Sequence, residues 1–506
     1  MSFTLSQQQQ AVLDWVANGS GHLNLVARAG TGKTATLIEI VKTLPPGSCF
    51  LGAYNTAIAN EVKGKLRHLE LRAHASTMHS AGFAAWRKRY SHVNVEVSKC
   101  RDMMRAWLSR GVCKRYESAV LDLVSLAKGC AFGARDCPAV DDATAWERLA
   151  RHHGIEANLS GGATVEEAVW IAMDLYRRSL DACDTLIDFD DMILAPLVHN
   201  ADPQRFAWVL IDEAQDTNPA RRELAKRMLG PGGRMIAVGD PCQAIYGFTG
   251  ADADAMDIIV HDMESETLPL TLTYRCPHAI VDEANTIVPD IEAAPDNPTG
   301  SVDAIPLYGF LARRKQLEAT DVILCRNTAP LVELAYGFLA DGIACRVEGR
   351  DIGASLLNLV RRWKSVHNLE ELADRVESFL PVELEKLMAQ GKEAAAQAIE
   401  DRCNTVLILC SRLISKGSTR LADLENFVNR LFDTSKPADA QHVLTLSTIH
   451  KSKGREWPRV YILGADQYMP SPYARKDWEM AQEDNLLYVA ITRARETLTY
   501  VNVRND

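Results

Sequence analysis

Between Leu23 and Thr34 an apolar run, Leu23-Asn24-Leu25-Val26-Ala27, leads into Arg28-Ala29-Gly30-Thr31-Gly32-Lys33-Thr34 and then into a segment with helical spacing. Strand, glycine-bearing loop and helix in that order are what a phosphate-holding P-loop requires. The loop N–H groups and the helix N-terminus then converge on an anion. Lys33 would neutralise the β- and γ-phosphates of a nucleotide, and the Thr34 hydroxyl would hold Mg²⁺. Ala29, Gly30, Thr31 and Gly32 would line the cradle. The first glycine of the GxxxxGK[ST] pattern is Ala27 here, a mild departure.

A loop of this kind needs a parallel sheet behind it, and two stretches of the chain supply the strands. The first holds Leu23–Ala27, Cys49–Ala53, the run Trp208-Val209-Leu210-Ile211-Asp212 and the run Met235-Ile236-Ala237-Val238-Gly239. The second holds Val322–Cys325, Val443-Leu444-Thr445-Leu446, Val460–Leu463 and Leu498-Thr499-Tyr500-Val501. Continuous apolar strands ending in Asp or Gly are expected of a sheet covered on both faces, so the fold class is α/β. Mostly helical insertions, over about 85–185 and 356–440, interrupt both stretches. Pro45-Pro46, Pro231-Gly232-Gly233 and the segment Pro295 to Gly300 punctuate as turns.

With 506 residues, 47% apolar and 24% charged, the chain has material for two to four soluble domains, and no run approaches a membrane span. The N-terminus lacks the pattern of a signal peptide, and the twelve cysteines include no C-x-x-C pair. A reduced, cytoplasmic chain is the expectation. Cys100, Cys113, Cys130 and Cys137 match no metal-binding spacing and are expected to be buried thiols. The net charge of −10 argues against indiscriminate binding of polyanions. Between Glu61 and Arg115, however, 13 Lys or Arg face 4 Asp or Glu, an excess of 9 positive charges. Such a stripe suits a phosphate backbone, and it equally suits a solvated helical face.

Two further segments carry chemistry. Asp212 and Glu213 follow the strand Val209-Leu210-Ile211. Carboxylates there suit a Mg²⁺ ligand (Asp212) and a group that orients or deprotonates the attacking water (Glu213). In Gly239-Asp240-Pro241-Cys242-Gln243-Ala244-Ile245-Tyr246-Gly247-Phe248, Gln243 could sense a γ-phosphate, while Tyr246 or Phe248 stacks a base. Near the C-terminus, the segment Tyr488 to Arg495 offers guanidinium groups on a helix.

In this order the motifs resemble those of superfamily 1 DNA helicases of the UvrD, Rep and PcrA type, with details closer to the F-box DNA helicase branch. The resemblance runs from Leu5 to Arg495. It implies two RecA-like domains: 1A at 1–84 and 186–272 with a helical insertion 1B at 85–185, and 2A at 273–355 and 441–506 with a reduced insertion 2B at 356–440. Gln9, or less directly Gln8, would read adenine, although Ser6 with Gln9 also fits a helix capping box. Tyr54, Asn55, Thr77, His79, Thr448 and His450 would contact DNA beside Tyr246 and Phe248. Tyr274 would stack on adenine, Arg275 would reach the γ-phosphate, Glu456 the ribose, and Arg493 would be the arginine finger.

Ala35 stands where better-known relatives carry an arginine beside adenine, Arg455 where leucine is usual, and Phe248 where tryptophan is common. Only 13 residues follow Arg493, which leaves no room for the strand-splitting hairpin of those relatives. The function the resemblance implies is an ATP- and Mg²⁺-dependent translocase and helicase on single-stranded and tailed duplex DNA. Movement 3′ to 5′ and action as a monomer, with no membrane association, complete that expectation. Alternatives are a translocase that displaces proteins with weak unwinding, an inert DNA-binding subunit, and RNA as the strand.

Overall fold

The computed structural model describes residues 5–53, 55–155, 159, 162–245, 254–363, 365–389, 393–432 and 443–504. Contacts divide the chain into two units, Met1–Thr271 and Leu272–Asp506. Both carry a six-stranded parallel sheet, which establishes the α/β class.

In the first unit the strands are β1 (Leu23–Ala27), β2 (Cys49–Ala53), β3 (His74–Thr77), the short pair β4 (Asn94–Val95) and β5 (Leu186–Ile187), β6 (Phe206–Ile211), β7 (Leu229–Gly239) and β8 (Glu266–Leu270). The main sheet runs β3-β2-β6-β7-β1-β8. Alternation of side chains along these strands feeds two cores. Leu51, Leu210, Ile236 and Val238 pack with Val12, Trp15, Leu37 and Ile40 on one face. Phe50, Val209, Ile211, Met235 and Ala237 pack on the other face, in a core shared with the helices Arg110–Gly129 and Val165–Asp181 of the insertion. Burial on both faces is why these strands read as unbroken apolar runs.

Two expectations need correction here. Pro231 to Gly233, expected as a turn between elements, lies within β7, as an excursion between the pairs Phe206↔Leu229 and Trp208↔Arg234, with Gly232 at φ 67°. Nor does the whole basic stripe face solvent. Lys99 is fully buried, its Nζ 2.7 Å from Asp191 Oδ2, beside Lys128, which pairs with Asp188 and Asp191.

The second unit has β9 (Leu272–Thr273) paired with β10 (Glu292–Ala293). Its main sheet is β11 (Ser301–Pro306), β12 (Val322–Cys325), β13 (Cys345–Val347), β14 (Leu444–Thr448), β15 (Trp457–Leu463) and β16 (Ala494–Asn502), in the order β11-β16-β15-β12-β14-β13. One core joins this sheet to the insertion: Ile323, Leu444 and Leu446 share it with Leu372, Val376, Ile399, Val406 and Leu424. Among the described residues no group of three or more His, Cys, Asp or Glu is arranged to hold a metal, and no helix is long and apolar enough to cross a membrane.

Candidate functional site

The crossovers of the first sheet bring five segments to the carboxyl ends of its parallel strands, where α/β folds bind ligands. The loop after β1 has Gly30 at φ 74° and Gly32 at φ 83°. Both angles lie in the left-handed region that glycine enters without penalty. Gly32 caps the helix Lys33–Thr43 with no side chain over its N–H groups. Ala29 and Thr31 are buried, and Thr31 Oγ1 donates to the Arg28 carbonyl at 2.9 Å, which fixes the curl of the loop. Thr34 is the second residue of the helix.

After β6, Asp212 is buried and Glu213 stands at φ 54°, ψ 46°. A left-handed conformation in a non-glycine residue is strained and recurs at functional sites. From there Glu213 Oε1 lies 3.4 Å from Lys33 Nζ. Burial and the Glu213 carboxylate push Asp212 up to about 7. The Asp212 carboxylate, and the Thr34 hydroxyl in the first turn of the helix Lys33–Thr43, are hard oxygen donors of the kind that suit Mg²⁺.

The loop after β7 closes a circuit. Gln215 Nε2 donates to Glu213 Oε2 (2.5 Å), and the Asp240 N–H donates to Gln215 Oε1 (3.1 Å). Gln243 Nε2 donates to Asp240 Oδ2 (2.8 Å), and Arg28 Nη1 donates to Asp240 Oδ1 (3.0 Å). The chain thus returns to the phosphate loop. Arg28, Gln215 and Asp240 escaped the sequence reading. An arginine inside the glycine loop was the available signal for the first.

Gln9 is fully buried. With Ser6 it makes both halves of a capping box, and its Nε2 donates to Thr36 Oγ1 at 3.1 Å beneath Gly32. Gln8 uses both ends of its amide on the N–H and hydroxyl of Thr271. After β2, the exposed Asn55 caps the helix Thr56–His68, and the buried Thr77, the last residue of β3, caps the helix Met78–Arg89. His79 shares a small cavity of about 20 Å³ with Asp212, Glu213, Thr217 and Arg221. Burial, then Arg221, lowers its imidazole to about 4, so it is neutral at physiological pH. Tyr54, Tyr246 and Phe248 lie outside the described residues.

In the second unit, Arg275 Nε is 2.5 Å from Glu456 Oε2, an ion contact without hydrogen-bond alignment, and Arg495 Nη1 is 3.6 Å from Glu456 Oε1. Arg275 also donates to the Thr492 carbonyl (3.3 Å), and Tyr274 is 43% exposed beside it in sequence. Arg493 is 1% exposed. Its guanidinium donates to Val489 O (2.8 Å), Arg455 O (3.0 Å) and Thr492 Oγ1 (3.0 Å). Thr448 and His450 belong elsewhere, to the carboxyl end of β14. Burial, then Arg326, Lys451 and Lys453, drives His450 down to about 3.

The family model of the UvrD/REP helicase N-terminal domain matches residues 5–264, and that of the UvrD-like helicase C-terminal domain matches residues 357–505. The chain belongs to the UvrD/Rep helicase family. Its similarity to Escherichia coli DNA helicase II is 25% identity over 470 residues, covering 70% of this chain and 64% of that protein. With the ATP-dependent DNA helicase UvrD2 of Mycobacterium tuberculosis it shares 24% over 553 residues, 97% of this chain and 77% of that one. With the ATP-dependent DNA helicase PcrA of Staphylococcus epidermidis it shares 24% over 440 residues, 65% and 60%. This UvrD/Rep-family chain therefore spans less than two thirds of the length of several relatives it matches, DNA helicase II among them.

Proposed function

We propose that this chain is an ATP-driven motor on single-stranded DNA, a translocase with DNA helicase activity of 3′ to 5′ polarity. The observation that carries the reading is the circuit of contacts joining Lys33, Glu213 and Gln243, which are far apart in the chain, at the carboxyl ends of the central strands β1, β6 and β7 beside Asp212. Lys33 and the loop N–H groups hold the phosphates. Thr34 and Asp212 would hold Mg²⁺, which when bound would supply positive charge to offset that of the phosphates. Glu213 orients the attacking water and accepts its proton, and Gln243 presents its amide to the terminal phosphate.

Gln9, or alternatively Gln8, is proposed to read the base, with Tyr274 stacking on it. Arg275 and Arg493 are proposed to meet the phosphates and Glu456 the ribose. Asn55, Thr77, His79, Thr448 and His450, with Tyr54, Tyr246 and Phe248, are proposed to follow the DNA strand. Stacking and phosphate contacts read no sequence, so binding is expected to be sequence-independent and strongly salt-dependent.

The test is ATP hydrolysis with and without a single-stranded oligonucleotide, followed by unwinding of 3′-tailed, 5′-tailed and forked duplexes beside displacement of a bound protein. Stimulated hydrolysis with unwinding of the 3′-tailed duplex supports the reading. Protein displacement without unwinding reduces it to a translocase. Turnover indifferent to DNA rejects it.

A further inference from the structure

The phosphate loop of this chain contains a second cation, Arg28, five residues before Lys33, to which the phosphate chemistry above gives no part. Arg28 is held at both ends. Its backbone N–H donates to the Leu270 carbonyl of β8 at 2.9 Å, and its carbonyl accepts from Thr31 N–H and Oγ1. Its side chain is 13% exposed, with Nη1 on Asp240 Oδ1 at 3.0 Å and on Cys242 Sγ at 3.2 Å. Asp240 is 0% exposed, and its further bonds include Asp240 N–H to Gln215, Cys242 N–H to Oδ1 (3.2 Å), Gln243 Nε2 to Oδ2 and the Gln243 N–H to its carbonyl (2.9 Å).

A buried carboxylate holds a fixed orientation when each oxygen is engaged by a donor of fixed position. Here Oδ1 engages Arg28 together with the Cys242 N–H, and Oδ2 engages Gln243. The guanidinium therefore shares with that backbone N–H in setting the rotation of the carboxylate that sets the amide of Gln243.

We infer that Arg28 is a positioning residue: acting through Asp240, it fixes Gln243 toward the terminal phosphate and so ties the loop that binds nucleotide to the loop that responds to it. This rests on the ATP-hydrolysing reading above. It assigns Arg28 to the rate of the chemical step and not to nucleotide affinity, because its guanidinium is committed to a carboxylate.

The experiment is DNA-stimulated ATP hydrolysis by the full chain, with kcat and KM measured separately, for the unmodified protein, R28Q, R28K, D240N and R28Q/D240N. Affinity for a fluorescent ATP analogue and the thermal midpoint are measured for each. R28Q is expected to lose roughly ten- to a hundredfold in kcat with KM within about twofold. R28K, which keeps a cation beside the buried carboxylate and so protects the fold, is expected to recover most of the rate. R28Q/D240N is expected to be no slower than the slower single variant, since both act through one link.

Three outcomes would overturn the inference: a raised KM with kcat intact, which makes Arg28 a phosphate ligand; additive losses in the double variant; or R28K and R28Q both at the unmodified rate. If the unmodified chain turns over no ATP, the functional reading falls and the inference falls with it. If it turns over and R28Q is indifferent, only the inference falls.

Discussion

Lys33 Nζ stands 3.4 Å from Glu213 Oε1, a pairing of the phosphate loop with the acid segment made possible by a left-handed backbone at Glu213. The lysine that would hold phosphate is thereby held near the carboxylate that would handle water. Neither position is independent of the other.

Replacing Glu213 by Gln keeps the side-chain shape and the contact with Gln215 but removes the base. ATP-analogue affinity is expected to stay within a few-fold of the unmodified protein, while DNA-stimulated kcat falls by roughly 10²- to 10⁴-fold. Lys33→Ala is expected to abolish stimulated turnover. A Glu213→Gln protein that hydrolyses at the unmodified rate would remove Glu213 from the mechanism.

Arg493 carries a structural load besides the chemical role proposed for it. Its buried guanidinium satisfies the Val489 and Arg455 carbonyls and the Thr492 hydroxyl. Arg493→Ala should therefore lower unfolding stability by about 1–3 kcal/mol, besides reducing kcat by about 10³-fold or more. Urea unfolding of the variant checks the first effect and steady-state ATPase the second.

Gly82→Ala sets helix propensity against packing. Alanine gains about 1 kcal/mol over glycine in an exposed helix. At this position, however, a Cβ would collide with the Met192 carbonyl oxygen and sit 3.2 Å from Ile193 Cα, in backbone that cannot rotate away. Overpacking typically costs about 1–3 kcal/mol, so the net change is expected to be destabilising. A raised thermal midpoint would refute the close approach of the helices Met78–Arg89 and Asp191–Val198.

Lys128 is 1% exposed and pairs with Asp188 at 2.6 Å and Asp191 at 2.8 Å. Lys128→Met should destabilise the first unit by about 3–5 kcal/mol, because it strips a cation from buried carboxylates. Lys128→Met with Asp188→Asn should recover part of that loss. Chemical denaturation of the single and double variants measures both.

His450 supplies a pH dependence. Its folded-state imidazole lies near 3, below the unfolded value of 6.5, so the unfolded chain takes up the proton first. Its contribution to stability is therefore full above about pH 6.5 and declines as pH falls toward 3. The difference in thermal midpoint between the unmodified protein and His450→Asn should shift against the unmodified protein across that window. A constant difference would mean that His450 titrates normally.

The sequence alone fixed what depends on short-range pattern. Strands buried on both faces must be apolar throughout, so β1, β2, β6, β12 and β15 stand out as runs. A loop that cradles phosphate needs glycine, lysine and threonine at set intervals whatever surrounds it. The missed strands β3, β8, β11 and β13 are the sheet edges. An edge strand is half exposed and needs no continuous apolar run, and so His74–Thr77 carries no signal. Tertiary structure decided which side chains meet. Arg28, Gln215 and Asp240 look ordinary in sequence because their partners come from other crossovers. That Gln9 closes a capping box, and that Lys99 faces Asp191 and not solvent, depends on what packs against each. Electrostatics and burial act through space, and the chain order of the strands differs from their order in the sheet.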